Sequence, residues 1–135
     1  MVILAGLGEW WRQRGAGRAH ELACRLGQVA HEGGRHGTAF RIFAVLAERG
    51  HGESLFHLGH LHERGLGAPA DAVQAALRYR QAALRGHDEA QYRLACLYAS
   101  GQGFMRDPLQ AQYWLHQAAR QGHEAAQRHL AVWVM

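Results

Sequence analysis

Residues 88–123 read DEAQYRLACLYASGQGFMRDPLQAQYWLHQAARQGH, and residues 52–87 read GESLFHLGHLHERGLGAPADAVQAALRYRQAALRGH. Each stretch is 36 residues long, and the two align without a gap. Glu53 falls on Glu89, Leu58 on Leu94, and Leu61 on Leu97. Gly65 and Gly67 fall on Gly101 and Gly103, Asp71 on Asp107, Ala75 on Ala111, and Gly86-His87 on Gly122-His123. A tandem match at this period marks a repeat unit that must stack on its neighbours to bury its apolar face.

Each unit divides into two helices. Leu55, Leu58 and Leu61, or Ala90, Leu94, Leu97 and Tyr98, recur at helical spacing along the first half, which ends at Gly65 or Gly101. The second half opens at Asp71 or Asp107, with Gln74 or Gln110 three residues on and Pro108 at the first turn of the later copy. These are helix-start signals, and Gly86 and Gly122 close the segment. Upstream, Glu21, Leu26, Gly27, Val29 and Gly33 match the first half, and Ala39, Phe43, Ala47, Gly50 and His51 the second, with four residues fewer around 33–37. Downstream, Ala126, Leu130 and Ala131 begin another first half. The chain therefore divides into an N-terminal capping or incomplete-repeat helix (1–18), a degenerate repeat (19–51), two full repeats (52–87 and 88–123) and a terminal helix (124–135). The fold class is all-α, an α/α solenoid.

Composition agrees. The 135 residues are 48% hydrophobic and 19% charged, which suits one folded domain with a sizeable core. All fifteen basic residues are Arg and are dispersed, so a net charge of +4 carries no nucleic-acid reading. Two cysteines are too few for a disulfide scaffold. No stretch has the length of a membrane span, and Trp10 and Trp11 stand where a leader would have its small-residue cleavage site. The expected location is the cytoplasm, or the periplasm if a leader has been removed.

A unit of the form A-x-x-x-L-(G/A)-x-x-Y-x-x-G-x-G, then Asp, then A-x-x-(W/Y)-x-x-x-A-A-x-x-G-H, resembles the Sel1-like repeat of the tetratricopeptide-like superfamily. Residues 90–123 carry it almost throughout. The copy from Gly52 has Ser54 and His62 in place of the small residue and the aromatic. The resemblance covers roughly Ala19 to the C-terminus. It implies a right-handed superhelix whose first helices line a concave face. It also implies an adaptor or scaffold role, often in bacterial secretion, envelope or signalling systems.

With Leu26, Leu58, Leu94 and Leu130 taken as equivalent buried positions, neighbouring positions form ladders on the inner face: Cys24, Phe56, Tyr92 and Arg128; Gln28, His60, Cys96 and Val132; His31, Glu63 and Ala99. Phe56 and Tyr92, ringed by His60, Glu63, Arg128, Gln28 and Cys96, either anchor a partner protein or peptide in a groove or fill the space between neighbouring first helices. His51, His87 and His123 recur after Gly and are turn residues. His57 and His60 share a helical face, but two imidazoles make a poor metal site, and no metal or cofactor is expected. No Ser/His/Asp set or isolated carboxylate pair has recognisable motif spacing, so no catalytic residue is assigned and the chain is read as a non-enzyme. The alternative is an enzyme acting on β-lactams or cell-wall fragments, like the cysteine-rich relatives. Those carry a cysteine pair in each repeat, whereas Cys24 and Cys96 lie two repeats apart on non-equivalent positions. The apolar ends, Val2-Ile3-Leu4 and Ala131 to Met135, call for a fold-back cap, self-association or a dedicated partner.

Overall fold

The computed structural model describes the backbone of residues 2–134 and the side chains of residues 17–132. The described residues form seven helices and no strand: α1 (Val2–Glu32), α2 (His36–Glu48), α3 (Gly52–Arg64), α4 (Ala72–Leu84), α5 (Asp88–Ser100), α6 (Pro108–Arg120) and α7 (Glu124–Val134). Each packs chiefly on the next in sequence. Side-chain contacts also link α1 to α3, α3 to α5, and α5 to α7. The odd-numbered helices thus make one layer of an α/α solenoid and α2, α4 and α6 the other.

Local sequence starts and stops the helices where expected. The Asp71 carboxylate accepts from the Val73 and Gln74 amides, and that of Asp107 from Leu109 and Gln110. Gly65 and Gly101 cap α3 and α5 in the left-handed conformation. The core follows the alignment. Leu55, Leu58 and Leu61 of α3 and Ala90, Leu94 and Leu97 of α5 are buried against Ala75, Ala76, Tyr79, Ala82 and Ala83 of α4. Burial of each such leucine is worth roughly 1.5–3 kcal/mol. Alanines on α4 and α6 keep the layers close. The loop of each full repeat rests on the preceding second helix: a Cβ at Gly67 would stand 2.5 Å from the His36 carbonyl oxygen, and one at Gly103 2.4 Å from that of Ala72. Only glycine permits that approach.

The first repeat departs from the expected burial. Leu26 and Val29 are 64% and 62% exposed, while Cys24, Gly27 and Ala30 are buried. The left-handed glycine ending this segment is Gly34, not Gly33. The alignment of Gly27 with Gly59 holds, since Gly27 meets the ring of Phe43 as Gly59 meets that of Tyr79, but Leu26 is not buried as Leu58 is. Cys24 belongs to the core. α1 also runs unbroken through residue 18, so the backbone makes no fold-back there. The packing of Trp10, Trp11 and Trp133 lies outside the described side chains.

Candidate functional site

The recurring histidines organise the inner layer. His51, His87 and His123 are the N-caps of α3, α5 and α7: their Nδ1 atoms accept from the backbone amides of Ser54, Ala90 and Ala126. An accepting Nδ1 leaves the proton of a neutral ring on Nε2. In His87 that Nε2 donates to Glu53, 3.0 Å away on the preceding first helix, and in His123 it donates to Glu89. One ring therefore starts its own helix and ties it to the repeat before. Burial holds His51 below the ordinary imidazole value, and His20 beside it adds to the effect. Burial opposes ionisation of Glu89, but hydrogen bonds from His123 and Arg93 outweigh it and hold the carboxyl below the usual range.

Phe56 and Tyr92 stack on these capping rings. Phe56 lies 4.7 Å from His87 and Tyr92 4.7 Å from His123, with interplanar angles of 20° and 24°. Both aromatics are half-buried between successive first helices. The Tyr92 hydroxyl also reaches His129 of α7 at 3.3 Å. Gln28 meets His57 at 2.9 Å, and His57 meets Glu53 at 3.1 Å. His60 faces His31, and its Nδ1 is buried without a partner. Arg128 is exposed on α7. The three α3 histidines diverge: His57 stacks on Phe43, His60 turns to His31, and His62 packs edge-on against Phe40. Burial lowers the basicity of all three.

Three of the expected residues come together. Glu63, Tyr92 and Cys96 line one cleft of about 230 Å³ between α3 and α5, with Glu89, Arg93 and Ser100. Arg93 bridges Glu89 at 3.2 Å and Glu63 at 3.7 Å, and Glu63 in turn accepts from the buried Tyr79 hydroxyl at 2.8 Å. Burial and the Glu63 carboxylate both push the Tyr79 phenol far up, so it stays a donor. Phe56, His60, Gln28 and Arg128 stand outside that cleft. Cys96 and Cys24 are free thiols, both kept protonated by burial. Cys96 and Ser100 also line a second, larger hollow between α5, α6 and α7. Arg93, Glu89 and His129 matter more here than a sequence reading indicates. Recurrence of the Glu53/His87 and Glu89/His123 pairs, each 34 residues apart, is the signal that could have found the bridge.

Two stacked helix pairs with matching caps, matching loops and a shared inner layer define a helix-pair repeat protein. The family model described as Sel1 repeat matches residues 52–87 and 88–123, over half of the chain. The protein belongs to the Sel1 repeat family. Solved structures agree. A Sel1 repeat protein from Oxalobacter formigenes is 30% identical, with a TM-score of 0.65 over 67% of this chain and 36% of that one. A protective antigen of uropathogenic Escherichia coli strains, displaying an SLR fold, is 24% identical with a TM-score of 0.78, over 90% and 27%. Cysteine rich protein B of Helicobacter pylori is 22% identical with a TM-score of 0.68, over 84% and 90%. The chain thus spans about a third of the first two. No curated protein matches. Sel1 repeats generally serve as protein-interaction scaffolds, and no helix among the described residues is long and apolar enough to cross a membrane.

Proposed function

We propose that this chain holds a segment of another protein along its odd-numbered helices. The observation that carries this reading is the cleft between α3 and α5. It gathers an aromatic, a guanidinium, two carboxylates and a thiol on a rigid scaffold, beside an apolar hollow. A polar cleft flanking an apolar recess is the anatomy of a peptide-binding surface. Glu63, Tyr92 and Cys96 line the contact, Arg128 and Gln28 flank it, and Phe56 and His60 support it from within the layer. The Arg93 bridge preorganises the charged groups, so binding does not have to order them. The finer reading is a stoichiometric partner in a bacterial secretion, toxin-immunity or signalling system. A tight complex with the product of an adjacent gene would support it.

Site-specific photo-cross-linking tests the surface. A photoreactive residue at Ser100 or Arg128 should trap the partner, and one at Arg80 or Gln112, exposed on the other layer, should not. Equal trapping from both layers would overturn the reading.

A further inference from the structure

In two repeats the second helix sends an aromatic ring back against a glycine of the first. A Cβ at Gly27 would lie 2.7 Å from the Phe43 ring, and one at Gly59 would lie 3.0 Å from two carbons of the Tyr79 ring. Tyr79 is wholly buried there, and its hydroxyl donates to Glu63. In the third repeat the positions of Gly59, Glu63 and Tyr79 are taken by Ala95, Ala99 and Leu115. The ring and the carboxylate are both gone. Where they would be, between α5, α6 and α7, lies a hollow of about 520 Å³ lined by Ala95, Ala99, Leu115 and Val132, with Cys96 and His129.

We infer that this hollow is a pocket for an aromatic side chain, of the phenylalanine type, carried by a partner polypeptide. What the space accepts is visible in the neighbouring repeat, where the equivalent side chains enclose a six-membered ring supplied by the protein itself. The replacement of Glu63 by Ala99 removes the carboxylate that would receive a phenol hydroxyl, so the fit is to an unsubstituted ring. The volume lies within the range of small ligand sites, and the lining is mainly apolar. Cys96 and Ser100 line both this hollow and the Glu63–Tyr92–Arg93 cleft. A peptide lying in the cleft can therefore drop one ring into the hollow. The inference rests on the reading of that face as a peptide-binding surface. It adds the residue class that anchors the peptide.

The test uses the whole chain and a small probe, so it stands apart from the cross-linking of the face. The ¹⁵N-labelled protein is titrated with N-acetyl-phenylalaninamide and, in parallel, with N-acetyl-alaninamide. The phenylalanine compound should shift the amides of Ala95, Ala99, Leu115 and Val132 saturably, and the alanine compound should not. Ala95→Gly, Ala99→Glu and Leu115→Tyr together copy the second repeat into the third and should weaken the probe about tenfold or more, equivalent to about 1.4 kcal/mol. Ala95→Gly with Leu115→Phe copies the Gly27–Phe43 pair. It should have the same effect, and a native circular dichroism spectrum identifies which variant to read. An absent shift in the native protein, or a shift undiminished in a folded plugged variant, overturns the pocket.

Discussion

Replacing Gly59 by alanine sets two opposed effects against each other, and the structure decides the sign. In a helix interior the change should stabilise by about 0.8–1.0 kcal/mol, because glycine is the poorer helix former. Here, however, the new Cβ would lie 3.0 Å from both Cδ1 and Cε1 of Tyr79 and 3.3 Å from the Ala75 carbonyl oxygen. The ring cannot swing away freely, since Tyr79 is fully buried and its hydroxyl is held by Glu63. Overpacking of that kind costs about 1–3 kcal/mol, so Gly59→Ala should destabilise by about 1 kcal/mol net. Tyr79→Leu removes the obstacle, and in that background the same substitution should stabilise by about 0.5–1 kcal/mol. The Ala95/Leu115 pair of the third repeat already has this composition. Urea unfolding of the four proteins, followed by circular dichroism at constant m-value, closes the cycle. A stabilising Gly59→Ala in the native background, or an equal effect in both backgrounds, would refute the packing argument.

Three further outcomes are expected. His87→Asn keeps a cap acceptor but loses the Glu53 bond and the Phe56 stack, so helix content should hold while stability falls by about 0.5–1.5 kcal/mol in thermal unfolding. His87→Ala should cost about 1 kcal/mol more, and equal losses for the two variants would argue against the cap. Asp107→Ala removes acceptors for two amides at the start of α6 and should cost about 1 kcal/mol by urea unfolding; no change would show the cap to be dispensable. Acid should destabilise the fold. His51, His57, His60 and His62 have lowered folded pKa values, so the unfolded chain binds more protons below its ordinary value of 6.5, and stability present above 6.5 drains away as pH falls through the folded values. Glu89, also lowered, adds loss further down, below 4.5. Denaturation midpoints that stay flat as pH falls below 6.5 would contradict the histidine contribution, and no further loss below 4.5 would contradict that of Glu89.

The alternation of Leu55, Leu58 and Leu61 with Asp71 and Gly65 was enough to place the helices, because spacing and capping are local properties. The buried face of α1 was not, because residues 22–30 offer apolar side chains on two faces. Leu26 and Val29 match the repeat by identity but are exposed, whereas the small Cys24, Gly27 and Ala30 are buried, with the Phe43 ring close against Gly27. For the candidate site, Glu63, Tyr92 and Cys96 were readable as one surface from their positions on successive first helices. The hollow beside them was not, because it is made by what Leu115 and Ala99 lack relative to Tyr79 and Glu63. That difference acquires meaning only once the second-helix ring is known to point into the first-helix layer. The capping histidines were readable as turn residues, but their second bond spans two helices and no local pattern reveals it.

That second bond has a consequence for how order spreads along the chain. Starting a helix is its costliest step, and in α5 and α7 the side chain that lowers the cost is held by a carboxylate on the preceding first helix, α3 or α5. Initiation downstream is thereby made conditional on structure upstream, which gives a linear array the behaviour of a zipper with a preferred direction. Severing Glu53 from His87 would then loosen α5 more than α3, an asymmetry that amide exchange along the two helices would record.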